Sequence, residues 1–236
     1  MIRGLIRLSL GVVLVAGIAQ PAAAQVVHSF NANIGFFSPR GVDSRDPNDV
    51  LVANLSALVF NIGDFNTAEV QGEWNITFGD RIEAGFGVGY HQAHAHTFYR
   101  DYVDSAHSNS NIYQELGVRV IPLQAVVRFM PFGRAGTFQP YVGAGIGVLP
   151  WRYSEIGSFI DPSLTIFPGH YVDTGTAVGP IFLGGAKIPI GGDVYAMTFE
   201  VRYQHGVGTL DPNLQFAGSK IDLSGISTKF GFLVRF

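Results

Sequence analysis

The chain has 236 residues, with 15 basic and 18 acidic side chains, a formal net charge of −3 and no cysteine. That balance gives no footprint for nucleic-acid binding, and the missing cysteine excludes both a disulfide-stapled domain and a lipoprotein anchored through its first mature residue. Charged residues are 14%, against roughly 25% in ordinary soluble domains, while the 30 glycines and 19 phenylalanines are high.

At the amino terminus Arg3 and Arg7 form a basic region, residues 8–19 an apolar one, and Pro21-Ala22-Ala23-Ala24 an Ala-x-Ala cleavage pattern before Gln25. Residues 1–24 are therefore read as a cleaved secretory signal peptide and residues 25–236 as the mature domain. The apolar run is short of the roughly 20 residues a membrane-spanning helix needs. No later run of that length is free of charge or of breaking glycines. Any membrane crossing must then be made by strands.

Two-residue alternation recurs from there to the end of the chain. Phe30, Ala32, Ile34 and Phe36 share a face. Val70, Trp74 and Ile76 oppose Glu69, Gln71, Glu73 and Asn75. After a tight turn at residues 78–81, Ile82, Ala84, Phe86, Val88 and Tyr90 oppose Glu83 and three glycines. Leu116, Val118 and Val120 oppose Glu115 and Arg119, whereas beyond Pro122 the apolar set becomes Leu123, Ala125, Val127 and Phe129, opposite Gln124 and Arg128. This change of phase predicts a β-bulge at Pro122, where the ladder loses a donor. Val142, Ala144, Ile146 and Val148 follow, then Phe182, Ala186 and Ile188 opposite Lys187, then Met197, Phe199, Val201 and Tyr203 opposite Glu200 and Arg202. The eighth segment has Phe230, Phe232, Val234 and Phe236 against Lys229, Gly231, Leu233 and Arg235.

Eight such segments, joined alternately by short turns and long connections, predict an all-β fold, an eight-stranded antiparallel up-and-down transmembrane β-barrel. Short turns fall near residues 78–81, 132–138 and 190–193, and long loops near 38–66, 99–113, 154–174 and 205–222. All four long loops then emerge on one rim, and the terminal strand closes against residues 30–34. A soluble eight-stranded barrel would put Trp74, Phe86, Phe199, Phe230 and Phe232 inside and mostly glycine outside. Turned inside out, the glycines line a lumen too narrow for an aqueous channel.

The polar faces predict a lumen charge network of Glu69, Glu73, Glu83, Glu115 and Glu200 with Arg119, Arg128, Lys187, Arg202, Lys229 and Arg235. Unpaired charges are expensive in such an interior, so mutual pairing into a plug is expected rather than a gated pathway. The apolar run at residues 50–60 reads as a cover over the barrel mouth. Trp151, Tyr153, Phe159, Phe167 and Tyr171 read as interfacial girdle and loop packing.

The Pro140-Tyr141-Val142-Gly143-Ala144-Gly145-Ile146-Gly147 strand, together with the leader, the periodicity and the ending, resembles the outer-membrane β-barrel families of the OmpA, OmpX and OmpW type. Phe37-Ser38-Pro39-Arg40-Gly41, Tyr99-Arg100-Asp101-Tyr102-Val103 and Lys220-Ile221-Asp222-Leu223-Ser224-Gly225 resemble one bacterial subgroup of these families. The resemblance implies a Gram-negative cell outer membrane, with outer-membrane lipids and lipopolysaccharide as surroundings. It also implies that Gly231, Phe232, Val234 and Phe236 form the signal read by the barrel-assembly machinery during insertion. Such families share a fold more securely than a function.

Three functions are carried forward: a closed structural or interaction barrel with four long extracellular loops; passage or binding of small hydrophobic molecules; and lipid modification. The third lacks residues. No Gly-x-Ser-x-Gly elbow is present, and Gln204-His205-Gly206-Val207 stands where lipid A deacylases carry a His-x-Ser pattern. No enzyme activity and no cofactor are expected. His91, His94 and His96 form the sharpest chemical cluster; His94 and His96 share a strand face, but a pair of imidazoles is an incomplete metal site and none is assigned.

Overall fold

The computed structural model describes residues 26–236, so the leader assigned to residues 1–24 lies outside the described residues. The chain forms β1 (Val26–Pro39), a short helix α1 (Val50–Asn54), β2 (Thr67–Phe78), β3 (Ile82–Asp104), β4 (Ser110–Val120), β5 (Leu123–Phe129), β6 (Gln139–Ile160), β7 (Ile166–Ile190), β8 (Tyr195–Gln204), β9 (Val207–Thr209), β10 (Lys220–Asp222) and β11 (Gly225–Arg235). All pairing in the main sheet is antiparallel, and β11 returns to β1 with Ala32 opposite Phe232, closing a barrel. No helix among the described residues is long and apolar enough to cross a membrane.

β4 and β5 make one crossing, so eight strands traverse the wall. The bulge expected at Pro122 is absent. β3 pairs with both pieces in a single register, His91 opposite Val120 and Val88 opposite Leu123. Across the break the ladder persists: Gly89 N donates to Pro122 O at 2.8 Å and Ile121 N to Pro150 O at 2.9 Å. Proline removes a donor without inserting a residue.

What changes at that level is polarity. Below it, toward the termini and the short turns, the outward positions are exposed and apolar: Ile82, Phe86 and Tyr90 on β3, Val127 and Leu123 on β5, Val142 and Ile146 on β6. This band spans about nine residues per strand, the length of a transmembrane β-strand. Above it the inward side chains become the apolar ones. Ala93, Ala95, Leu116, Val120, Leu149, Trp151 and Tyr153 are all buried in one cluster. Leu116, Val118 and Val120 therefore face inward, opposite to the expectation, because the medium outside them is water rather than lipid.

The same change explains two of the long loops. Residues 99–113 and 154–174 are mostly strand: β3 pairs out to Asp104 and β6 with β7 out to Ile160 opposite Ile166. The barrel wall thus continues as a β-structured extension. Its core is soluble-like, with an apolar inside and a polar outside.

At the opposite rim an aromatic cluster marks the lower edge of the band. Trp74 lies edge-on to both His28 and Phe236, with ring centres 5.9 Å away in each case. The Phe236 backbone N–H donates to His28 O at 2.9 Å.

Candidate functional site

The charged side chains in the lumen of the transmembrane half come from six strands. Alternation turns Glu69 and Glu73 (β2), Glu83 (β3), Arg128 (β5), Lys187 (β7), Glu200 and Arg202 (β8) and Lys229 (β11) inward, and all are buried. Four carboxylates thus meet four cations.

Arg128 is the hub. Its Nη2 lies 2.6 Å from Glu73 Oε1 and 2.8 Å from Glu200 Oε2, and its Nη1 lies 3.5 Å from Glu83 Oε1. Arg202 also bridges Glu73 and Glu200, at 3.2 and 2.5 Å. Lys187 pairs with Glu83 at 2.5 Å, and Lys229 with Glu69 at 2.7 Å.

Neutral groups take up remaining valences. Tyr141 OH donates to Glu200 at 3.1 Å, Ser227 Oγ to Glu69 at 2.6 Å and Thr77 Oγ1 to Glu83 at 3.0 Å, while Asn75 Oδ1 accepts from Arg128 at 2.9 Å. Such pairing makes a buried network tolerable, although Arg202 Nη1 is buried without a hydrogen-bond partner. Glycine supplies the room: a Cβ at Gly85 would sit 2.7 Å from Arg128 Nη1 and 2.8 Å from Asn75 Oδ1.

Three of the predicted lumen charges are elsewhere. Glu115 and Arg119 project outward from β4, because the strand keeps its phase through Pro122 and odd-numbered residues stay on the outer face. Arg235 lies at the lower mouth, half-buried, donating to Gln139 Oε1 at 2.8 Å and Asp193 O at 2.9 Å. In the terminal segment Phe232, Val234 and Phe236 point outward, while Gly231 faces in against Asn33 and Thr198.

The mouth above is closed by chain segments that the apolar run at residues 50–60 anticipated. Val50, Leu51, Leu58 and Phe60 are buried among the inward residues of the extension. Asp49 caps α1, accepting from Leu51 N at 2.9 Å and Val52 N at 3.3 Å. Its carboxylate also holds Arg45 at 3.0 Å and accepts from the Asp222 backbone N–H at 2.5 Å. Arg45 in turn donates to Asp222 O at 2.7 Å, and Arg40 pairs with the Asp222 carboxylate at 2.5 Å. The first and last loops are therefore clamped together.

Ile221, from the small β9–β10 sheet, is fully buried in the same cluster. Beneath the cover a cavity of about 30 Å³ lies among Phe37, Leu51, Phe65 and His91, room for about one water. The sequence signal for this clamp was weak, since Arg45, Asp49 and Asp222 are far apart in the chain and sit on no strand pattern.

Trp151 and Tyr153 belong to this inner cluster rather than to an interfacial girdle. The Trp151 ring fits because its neighbour is glycine: a Cβ at Gly175 would approach it to 2.6 Å. Phe159, Phe167 and Tyr171 pack on one another in the β6–β7 extension. Glu155, also above the membrane, accepts from Tyr153 OH and Asn54 Nδ2, each at 2.7 Å. Burial raises its pKa from the ordinary carboxylate value, against the lowering effect of those two hydrogen bonds.

The histidines separate by parity. His91 points in and stacks on Phe37, with ring centres 4.3 Å apart. His94 and His96 point out, and their Nδ1 atoms lie 2.8 and 3.5 Å from the two Glu115 oxygens. Among the described residues no group of three or more His, Asp or Glu is arranged to hold a metal ion.

No protein-family model matches the chain, and no curated protein matches it in sequence. Solved structures do. The outer membrane protein OprG from Pseudomonas aeruginosa superposes with a TM-score of 0.53 at 10% identity, covering 90% of this chain and 97% of its own. A major outer membrane protein from Thermus thermophilus gives 0.47 at 12% identity, covering 90% of this chain and 100% of its own. The likeness to OprG, at 10% identity, conveys the fold and nothing of ligand or activity. Taken with the closed strand ring and the apolar outer band, it makes this chain an eight-stranded transmembrane β-barrel of the small bacterial outer-membrane type.

Proposed function

We propose that this protein is a closed barrel of the outer membrane, serving the envelope through its extracellular extension and loops rather than through a conducting lumen or a catalytic site. The observation that carries this reading is the lumen itself. Four buried carboxylates and four buried cations neutralise one another across the bore, under a mouth clamped by Arg45, Asp49 and Asp222. An ion entering would have to displace paired charges from a low-dielectric interior.

The wall supports the same reading. Through the apolar band each of the eight seams is paired in register, which leaves no lateral gap for an apolar solute. Insertion by the barrel-assembly machinery through the Gly231-to-Phe236 ending belongs to this proposal.

Planar-bilayer recording of the purified mature protein tests it. Absence of steady conductance is expected for the wild type, and likewise no accelerated entry of a small apolar fluorophore quencher into liposomes. A steady ohmic conductance would overturn the closed barrel; accelerated entry would favour hydrophobic passage instead. Lipid A mass spectra with and without the gene are expected to be identical.

A further inference from the structure

The outward residues just above the apolar band form a row on neighbouring strands. Gln92 on β3 stands opposite Arg119 on β4, Arg119 opposite Arg152 on β6, and Arg152 opposite Thr174 on β7. Two arginines thus face one another directly across a strand seam. Such cross-strand neighbours have Cβ atoms roughly 5 Å apart, and like charges there destabilise a sheet. No acid relieves the pair. Neither guanidinium has a hydrogen bond or ion pair to any described residue, and the nearby outward carboxylate, Glu115, is engaged by His94 and His96. Both arginines are half-buried, so their stems lie along the wall.

Below this row come Ile121, Pro150 and Thr176, and beneath them the lipid-facing Leu123, Val148 and Val178. The unrelieved cations therefore stand at the height where the acyl region ends and headgroups begin. At one end of the row the Gln92 amide is held by Tyr90 OH at 2.5 Å and by His94 Nε2 at 2.6 Å, which leaves one of its two N–H groups for a ligand. At the other end the Thr174 hydroxyl adds a neutral hydrogen-bonding group.

We propose that Arg119 and Arg152, flanked by Gln92 and Thr174, form a binding site for the phosphate of an outer-leaflet lipid whose acyl chains lie on the apolar band beneath. Planar guanidinium forks suit phosphate oxygens in bidentate geometry, and a shared anion turns the opposed arginines from repulsive to mutually stabilising. Continuity with the apolar band selects a lipid over a soluble anion, since only an amphiphile uses both surfaces. The inference rests on the barrel being embedded in a membrane and not on its lumen being closed, so the two readings fail separately.

The test places the mature protein in phosphatidylcholine nanodiscs. Lipid A bearing both phosphates, or the same lipid stripped of them, is added, and retained lipid is counted by native mass spectrometry. Wild type is expected to prefer the phosphorylated form. Arg119→Gln and Arg152→Gln should each reduce that preference about fivefold, and the double variant should abolish it. In phosphatidylcholine alone, Arg152→Gln should leave the unfolding midpoint unchanged or raised, because it relieves the repulsion.

Equal retention of both lipids by wild type would overturn the proposal. So would displacement of lipid A by millimolar inorganic phosphate, which would mark a free-anion site. A lowered midpoint for Arg152→Gln in phosphatidylcholine alone would assign these arginines a structural role and overturn it too.

Discussion

The lower and upper halves of this barrel share the same strands and registers but are held together by opposite chemistry. Below Pro122 the interior is built around ion pairs, Arg128, Arg202, Lys187 and Lys229 with four glutamates, beside a small apolar cluster of Val126, Met130, Ile181 and Leu183. Above it the interior is apolar, built on Leu116, Leu149, Trp151 and Tyr153 with α1 packed over them. A strand with one apolar face must turn that face to whichever side excludes water. In the bilayer that side is outside, and beyond it, inside. The same alternation therefore yields a plug in one half and a soluble-type core in the other.

The contrast is sharpest for the hub. Arg128→Ala should cost about 3–5 kcal/mol, the penalty for leaving buried carboxylates without their partner. Urea unfolding in detergent micelles measures it. A loss below about 1 kcal/mol would mean that water, not ion pairing, holds the lower half.

Leu116→Ala in the upper half should cost about 2–4 kcal/mol through its cavity, and that loss should be regional. Protease should cut the extension and its loops while the lower barrel still migrates as a folded species on unheated gels. Cleavage spreading into β8 or β11 would show that the halves unfold as one unit.

Asp49→Ala removes the cap of α1, worth about 1–2 kcal/mol, and leaves Arg45 without its carboxylate. Hydrogen exchange should quicken at residues 50–54 and 220–223, with no change in the lumen strands.

The smallest effect is pH-dependent. Because burial raises the Glu155 pKa above its unfolded value, the native state binds the proton more tightly. Its contribution is fully present below the unfolded carboxylate pKa and is lost as pH rises through the higher native one. The extension should therefore loosen slightly across that window, and Glu155→Gln should flatten the profile. An unaltered profile in that variant would place the titration elsewhere.

Much of the lower half was legible because lipid leaves a simple record. Phe86, Phe199 and Phe230 occupy strict alternate positions, and the inward partners Glu83, Glu200 and Lys229 follow by parity. The upper half was misread where one pattern has two physical causes. Apolar residues moving from even positions (Leu116, Val120) to odd ones (Leu123, Val127) describe either a bulge in a strand whose exterior is always lipid, or an unbroken strand leaving the lipid. Glu115 and Arg119 were lost to the lumen by choosing the first.

The next strand held a clue to the second. Its apolar positions also switch parity, from Val148 to Leu149, Trp151 and Tyr153, and there the outward Pro150 lies within continuous pairing. Two neighbouring strands bulging at one height is a far less economical account than a boundary between solvents. The clamp of Arg45, Asp49 and Asp222 had no periodic signature at all, since loop-to-loop contacts leave none.

The unbroken pairing of β6 with β7 also has a mechanical meaning. Roughly ten residues of β6, 151–160, continue past the apolar band, about 33 Å of strand and about 25 Å of height at the usual barrel tilt. The turn at residues 161–165 is thus carried clear of the headgroups on a wall that β4 shares as far as Gly157 and that only β6 and β7 continue beyond it. There a large soluble molecule could reach it without touching the bilayer, and a tag inserted at Ser163 would stand well away from the membrane surface.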